Sequence, residues 1–94
     1  MGELRLTIQH EAGLHARPLA QFVKTAQAFQ SAVRVRNLSS GKGPADGKSP
    51  LALMLLAVLD GQEIAIDADG PDSDQALDAL RCLIQTDFHV RPVA

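Results

Sequence analysis

Two hydrophobic periods alternate along this chain, and they restrict its fold more than any other feature of the sequence. Apolar residues recur at every second position in 4–8, 33–35 and 64–68, which predicts half-buried strands. A spacing of three and four residues, typical of one face of a helix, predicts helices at about 16–29 and after Asp72.

The remaining elements are shorter. Ser49 and Pro50 are typical of an N-cap and a first helical residue, and they predict a short helix that ends at about Leu59. Segment 37–48 is rich in Ser, Gly, Lys and Pro and is the most loop-like stretch, although a short strand can form around residues 44–45. The resulting order, β-α-β-(β)-α-β-α with short links, predicts an α+β sandwich in which helices cover one face of a small antiparallel or mixed sheet.

The composition of the 94 residues excludes several classes of protein. Three Phe, no Trp and no Tyr leave few rings for stacking on nucleic-acid bases, and a net charge of -2 gives no basic surface. No run approaches the roughly 18 apolar residues of a membrane span, and the N-terminal alternation is unlike a signal peptide. The lone Cys82, predicted to be a core residue of the last helix, excludes an internal disulfide and fits a reducing compartment. We therefore expect a cytoplasmic protein that binds neither nucleic acid nor membrane.

His15 lies between a glycine-containing turn and a predicted helix start. The first N–H groups of a helix have no partner within it, and the helix dipole places partial positive charge there. An anion beside His15 could therefore be bound by the N–H groups of Ala16 and Arg17 and by the Arg17 guanidinium. Neutral imidazole is available as a nucleophile near pH 7, which suits reversible transfer of a phosphoryl group. The position alone also fits a solvated cap or a structural histidine.

Three motifs of this chain resemble those of one protein family. Residues 13–18, Gly-Leu-His-Ala-Arg-Pro, resemble the active-site signature of the HPr phosphocarriers of the bacterial phosphoenolpyruvate:sugar phosphotransferase system. Lys48 and Ser49, followed by the apolar residues 51–58, are similar to the serine-centred region that opens the second helix of that family. Residues 61–72 are similar to the strand and turn that follow it.

The resemblance covers about residues 4–88, and it implies a phosphocarrier domain at 1–88 with a C-terminal extension at 89–94. The implied fold is an HPr-like open-faced β-sandwich, in which three helices cover one face of a four-stranded, mainly antiparallel sheet. The resemblance implies that His15 accepts phosphate on Nδ1 from phosphorylated enzyme I and passes it to EIIA domains for sugar uptake, while Arg17 stabilises the phosphate. Such carriers act as monomers, use no cofactor and are not themselves enzymes.

Three features qualify the match. Ala12 stands where many relatives have a side chain that hydrogen-bonds the phosphoryl group, so Arg17 and backbone N–H groups must suffice. Segment 37–48 is longer than is typical of the family. Ser49 is explained by its role as an N-cap, but it also matches the serine that HPr kinase/phosphorylase phosphorylates in some relatives, although Pro50 replaces the usual Ile or Leu.

The helix predicted after Ser49 is apolar all round, and a small sheet can bury only one face of it. Exposed apolar patches usually mark a partner site. By resemblance, enzyme I and EIIA dock on this helix and on the first one through the following residues: Ala20, Gln21, Lys24, Leu51, Met54 and Leu55. Dimerisation or the long loop at 37–48 could instead bury the second helix on two sides.

Other candidate sites and functions have less support. Nothing in the spacing of His10 and His89 from His15 demands a metal, and the acidic residues at 67–74 lack the spacing of a calcium loop, so we expect no metal site. One alternative function is a carrier for a dihydroxyacetone or nitrogen-related branch. Another is a regulatory binding module that acts through Ser49, but family members specialised in that way lack the histidine.

Overall fold

The computed structural model describes residues 2–9 and 13–86. Strands and helices follow in the order predicted from the sequence, including the short third strand. Within these ranges the elements are β1 (Gly2–Thr7), α1 (Ala16–Gln27), β2 (Ala32–Asn37), β3 (Ala45–Asp46), α2 (Pro50–Leu55), β4 (Glu63–Asp69) and α3 (Ser73–Gln85). The predicted α+β class is therefore confirmed.

The four described strands form one antiparallel sheet with the order β1-β4-β2-β3. Leu4 on β1 lies opposite Ile66 on β4, and Ile66 lies opposite Val35 on β2. Successive side chains of a strand point to opposite faces, and β2 accordingly alternates between exposed and buried residues. The buried face packs against the three helices, which confirms the predicted open-faced β-sandwich.

The core between the sheet and the helices is almost entirely aliphatic. One face of α1 contributes Leu19, Phe22, Val23 and Ala26, whose spacing is the helical one predicted from the sequence. Pro18, in the first turn, is buried as well, and a proline is tolerated there because its missing N–H would have no helical partner. The N-terminus of α1 is thus fixed against the core from its first turn onward.

The face of the sheet that the helices leave open carries a network of charged side chains. The Arg36 guanidinium on β2 reaches the Glu3 carboxylate on β1 at 3.1 Å, and Arg5 contacts the same carboxylate at 3.3 Å. Since β4 lies between β1 and β2, the Arg36 side chain crosses β4 near Ala65, its partner in the register. Ala65 is only 1% exposed, so β4 departs from the strict alternation that the sequence predicts.

The first two helices end earlier than the sequence predicts. α1 ends at Gln27 and not at about Phe29. α2 ends at Leu55 and not at about Leu59, because Ala57 has a left-handed backbone (φ 50°) that cannot continue a right-handed helix. None of the described helices is both long enough and apolar enough to cross a membrane.

The prediction that Cys82 lies in the core is wrong, because this residue is exposed. The buried residues of α3 include Leu80 and Ile84. Cys82 is two residues away from each of them, which is about 200° around the helix axis, and its side chain therefore lies on the opposite face.

Candidate functional site

His15 is the N-cap residue of α1, and its backbone is extended, with φ -132° and ψ 167°. Its carbonyl accepts a hydrogen bond from the Leu19 N–H at 3.4 Å, which begins the helix. The side chain makes no capping hydrogen bond, and the residue is partly exposed. The imidazole is therefore not used to cap the helix, and it lies within reach of solvent.

Ala16, the first residue of α1, has a left-handed φ of 51°. For a residue with a Cβ this conformation costs about 1–2 kcal/mol, and strained residues of this kind cluster at functional sites. Leu14 is fully buried before it, and Pro18 is buried after it. The strained backbone next to His15 is thus held between two anchored residues.

Gly13 shapes the approach to His15. Its φ is 62°, and a Cβ at this position would collide with the Val58 carbonyl oxygen and lie 2.9 Å from the Leu59 Cα. The following N–H, that of Leu14, donates to the same Val58 carbonyl at 3.0 Å. The chain that leads to His15 is therefore docked directly on the backbone of the segment that follows α2.

Arg17 lies in the first turn of α1, two residues after His15, and it is exposed. The N-terminal end of a helix attracts anions through its first N–H groups and its dipole. The guanidinium adds a full positive charge and a planar fork of donors, which matches the oxygens of a phosphate. The fold thus brings His15, Ala16 and Arg17 together at one helix N-terminus. Ala12 lies outside the described residues.

Ser49 caps α2, as its sequence context predicts. Its Oγ accepts a hydrogen bond from the Ala52 N–H at 3.2 Å, and its carbonyl accepts one from the Leu53 N–H at 3.1 Å. The residue is partly exposed, and exposed Leu51 follows two positions later. The N-cap role of Ser49 is confirmed.

Large apolar side chains are exposed on and just after α2. The apolar patch, as we name it, consists of Leu51, Met54, Leu55 and Leu59, which are 67%, 55%, 70% and 55% exposed. Leu53, in contrast, is fully buried. The exposure expected for part of this helix is confirmed, and the long loop does not cover the patch.

The other predicted docking residues lie on α1, which packs against α2. Ala20 and Lys24 are exposed, and Gln21 is partly buried. The Gln21 Oε1 atom is buried, and no described residue hydrogen-bonds to it. The six predicted docking residues therefore occupy two adjacent helices.

No three His, Cys, Asp or Glu side chains within residues 2–9 and 13–86 come together in a way that could hold a metal ion. His10 and His89 lie outside the described residues. In the acidic stretch at 67–74, Asp67 forms an ion pair with Arg34 at 3.0 Å, and Asp72 is hydrogen-bonded by the turn that precedes β2.

Sequence reasoning missed the residues that support the approach to His15. Val58 looked like one more apolar residue of a longer helix, whereas its carbonyl binds the Leu14 N–H. Asn37 is 1% exposed and hydrogen-bonds the same part of the chain. The alternation of Val33 and Val35 could have revealed it, because Asn37 is the next inward-facing position of that strand.

Comparison with known proteins defines the class. The family model described as "PTS HPr component phosphorylation site" matches residues 3–86. Together with the open-faced sandwich, this match defines a phosphocarrier domain of the phosphotransferase system. Because the match covers nearly the whole chain, the protein belongs to the HPr family.

Named relatives and solved structures agree with this assignment. The phosphocarrier protein HPr of Haemophilus influenzae is 47% identical over 74 residues, which are 79% of this chain and 84% of that protein. HPr of Pseudomonas aeruginosa is 40% identical in an alignment of 91 positions, which covers 94% of this chain and 96% of that protein. The crystal structure of HPr-C-His from Thermoanaerobacter tengcongensis superimposes with a TM-score of 0.89 at 35% identity, over 98% of this chain and 100% of the other.

The same domain also matches part of longer proteins. The multiphosphoryl transfer protein of Salmonella typhimurium is 38% identical over 73 residues, which are 78% of this chain and only 19% of that protein. A phosphocarrier role in the phosphotransferase system follows from the family and from these relatives.

Proposed function

We propose that this protein accepts a phosphoryl group on His15 from phosphorylated enzyme I and passes it to EIIA domains for sugar uptake. The observation that carries the proposal is the partly exposed imidazole at the N-terminus of α1, next to the strained backbone of Ala16 and not used for capping. The relay role itself follows from the family, whereas the residue, the donor and the acceptor are inferred.

In the proposed step, neutral His15 attacks phosphorus with the lone pair of Nδ1 while Nε2 keeps its proton. The new N–P bond forms as the N–P bond of the donor breaks, and the donor nitrogen leaves with the bonding electron pair. The N–H groups of Ala16 and Arg17, together with the Arg17 guanidinium, stabilise the three phosphate oxygens. The carrier holds and orients the phosphoryl group, and its partners supply the other catalytic groups.

Enzyme I and EIIA are proposed to dock in turn on the same surface. Its apolar centre consists of Leu51, Met54 and Leu55, and its edge consists of residues on α1, namely Ala20, Gln21 and Lys24. A small domain rarely leaves so many large apolar side chains exposed without a partner. One shared surface suits a monomer that passes between partners in the cytoplasm.

A phosphorylation assay tests the proposal. The protein is incubated with enzyme I and labelled phosphoenolpyruvate, and we expect an acid-labile label that is absent from His15→Ala. Absence of labelling with enzyme I from several sources would overturn it. Transfer from the labelled protein to a sugar-specific EIIA, compared with acceptors of the dihydroxyacetone and nitrogen-related branches, then identifies the branch.

Regulation through Ser49 is a second candidate function. Ser49 lies at the N-terminus of α2, two residues before Leu51 of the apolar patch. A phosphate here would be stabilised by the helix N-terminus and would add about two negative charges beside the docking surface. An ATP-dependent, acid-stable label from HPr kinase/phosphorylase, absent from Ser49→Ala, is the expected result. If the kinase labels both proteins equally, Ser49 is only a cap.

A further inference from the structure

Residues 56–62, which we call the 56–62 turn, connect α2 to β4 and hold both sides of the loop that precedes His15. On one side, the Ile8 N–H donates to the Gln62 carbonyl at 2.9 Å, and the Gly61 N–H donates to the Ile8 carbonyl at 2.7 Å. On the other side, the Leu14 N–H donates to the Val58 carbonyl at 3.0 Å. The position of His15 therefore depends on the shape of this turn.

Two amide side chains fix that shape. The Gln62 Oε1 atom accepts one hydrogen bond from the Leu59 N–H at 2.9 Å and another from Asn37 Nδ2 at 3.1 Å. Asn37 Nδ2 donates its second hydrogen to the Leu56 carbonyl at 3.2 Å. The beginning, middle and end of the turn are thus joined through one pair of side chains, at Leu56, Leu59 and Gln62.

Asn37 can hold the turn because its own position is fully determined. It is 1% exposed, and its Oδ1 accepts hydrogen bonds from the N–H groups of Ser39 and Ser40 at 3.0 and 3.1 Å. Both hydrogens of Nδ2 and both acceptor sites of Oδ1 are therefore used, which permits one orientation of the amide. A buried amide with four satisfied bonds is rigid, because breaking any of them leaves a polar group without a partner.

We infer that the Asn37–Gln62 pair positions His15 for phosphoryl transfer by holding the 56–62 turn against the chain at Gly13 and Leu14. This inference rests on the proposed function of His15. The hydrogen bonds described for the two side chains do not include one to His15, so we regard both as positioning residues and not catalytic ones. If the turn relaxes, Gly13 and Leu14 lose their support, and the left-handed Ala16 can return to an unstrained conformation.

Gln62 allows a test with closely matched variants. Gln62→Met removes the acceptor and keeps the length of the side chain, whereas Gln62→Glu keeps an Oε1 acceptor for both bonds. Ser31→Ala is the control, because it removes the two hydrogen bonds that the Ser31 hydroxyl makes with Asp72, beyond the other end of α1 and far from the turn. Protection of the β4 amides from hydrogen exchange shows whether each variant is folded. If Gln62→Met does not fold, Gln62→Ala is used in its place.

The first measurement is hydrogen exchange of the Leu14 N–H in the unphosphorylated protein. We expect Gln62→Met to exchange at least about tenfold faster at Leu14 than the wild type, relative to the amides of β4. Gln62→Glu and Ser31→Ala should resemble the wild type in this ratio. Unchanged exchange in Gln62→Met would overturn the inference. Exchange requires no phosphate, so this result stands even if His15 proves not to be phosphorylated.

The second measurement is phosphoryl transfer from enzyme I. Gln62→Met should lower kcat about tenfold or more, because small misplacement of a reacting group is costly, and it should leave KM for this protein within about twofold. Gln62→Glu should restore kcat. An equal loss of kcat in Ser31→Ala would mean that general destabilisation, and not positioning, explains the effect. If the wild type itself is not phosphorylated, the proposed function is wrong. The hydrogen exchange of Leu14 then still shows whether the Asn37–Gln62 pair holds the chain before His15.

Discussion

The Asp72 carboxylate accepts hydrogen bonds from both the hydroxyl and the backbone N–H of Ser31. It also accepts one from the Gln30 N–H at 2.9 Å, and the Ser31 hydroxyl oxygen accepts one from the Asp72 N–H at 3.2 Å. These bonds join the start of β2 to the start of α3. The Ser31 hydroxyl, followed by the backbone N–H of Gln30, holds the pKa of Asp72 below its ordinary value of 3.8.

This lowered pKa predicts a pH dependence of stability. Because the pKa of Asp72 is lower in the folded than in the unfolded state, ionised Asp72 stabilises the fold above pH 3.8, and this contribution is lost as the pH falls below that value. Urea denaturation between pH 7 and pH 3 should therefore show a smaller loss of stability in Asp72→Asn than in the wild type. Asp78→Asn, which removes only an exposed pair with Arg81, should behave like the wild type.

Gly13→Ala should damage both stability and transfer. The new Cβ would occupy a left-handed position and collide with the Val58 carbonyl, so we expect a loss of about 2–4 kcal/mol in the free energy of unfolding and slower labelling of His15. Gly41→Ala is the matched control, because Gly41 also has a positive φ (79°) but nothing lies within 4 Å of its Cβ position. Equal losses in the two variants would show that the contact with Val58 is unimportant.

Ala57→Gly should stabilise the protein. Ala57 follows the end of α2 with a φ of 50°, where glycine avoids the cost of a Cβ in the left-handed region. We expect a gain of about 1 kcal/mol in urea denaturation. Ala52→Gly, inside the same helix, should instead lose about 0.5–1 kcal/mol. A loss of stability in Ala57→Gly would contradict the strain assigned to this residue.

Arg17→Ala should impair phosphoryl transfer more than any other single change except one at His15. Loss of charge-assisted hydrogen bonds to the phosphate is expected to slow transfer by about tenfold to a hundredfold in a rapid-quench assay. Arg17→Lys should recover part of the rate, since it restores the charge but not the planar fork. Arg34→Ala, on the open face of the sheet, provides the comparison and should stay within about twofold of the wild type.

Leu55→Asn should weaken docking without affecting the fold. Leu55 is 70% exposed, so its replacement should change stability by no more than about 0.5 kcal/mol while KM for enzyme I rises about tenfold. Leu59→Asn makes the same substitution at another exposed leucine of the apolar patch, 55% exposed, that lies outside the predicted docking set. If both changes raise KM alike, the docking surface extends beyond α2. If neither does, the assignment of this surface is wrong.

Local pattern predicted most of the fold. The switch between strand and helix periods located the strands and helices, and Ser49 marked the start of α2 through its N-cap. The predicted end of α2 was wrong. The apolar run continues through Ala57, but the backbone of Ala57 is left-handed and cannot continue the helix. The burial of Ala65 was not predictable either, since its neighbour in the register, Arg36 on β2, lies far away in the sequence.

The candidate site, like the fold, could be predicted only in part. The run around His15 predicted the candidate phosphoryl site, and Gly13 predicted the turn that precedes it. The hydrogen bonds that support the chain before His15 come from Val58 and Gln62, which are far away in the sequence. A single sequence contains no local signal for such contacts. Cys82 shows that even a local assignment fails when the wrong helical phase is chosen.

The position of β4 has a consequence for how the chain acquires its structure during synthesis. β4 lies between β1 and β2 in the sheet, but it follows both of them in the chain. The pairings of β4 with β1 and with β2 cannot form until residues 63–69 have left the ribosome, and before then β2 has only the short β3 as a neighbour. The contact that seats Leu14 on Val58 likewise closes a long loop, whose entropy must be lost before the contact forms. A nascent chain from which β4 has not yet emerged therefore cannot present His15 in its native setting to a partner.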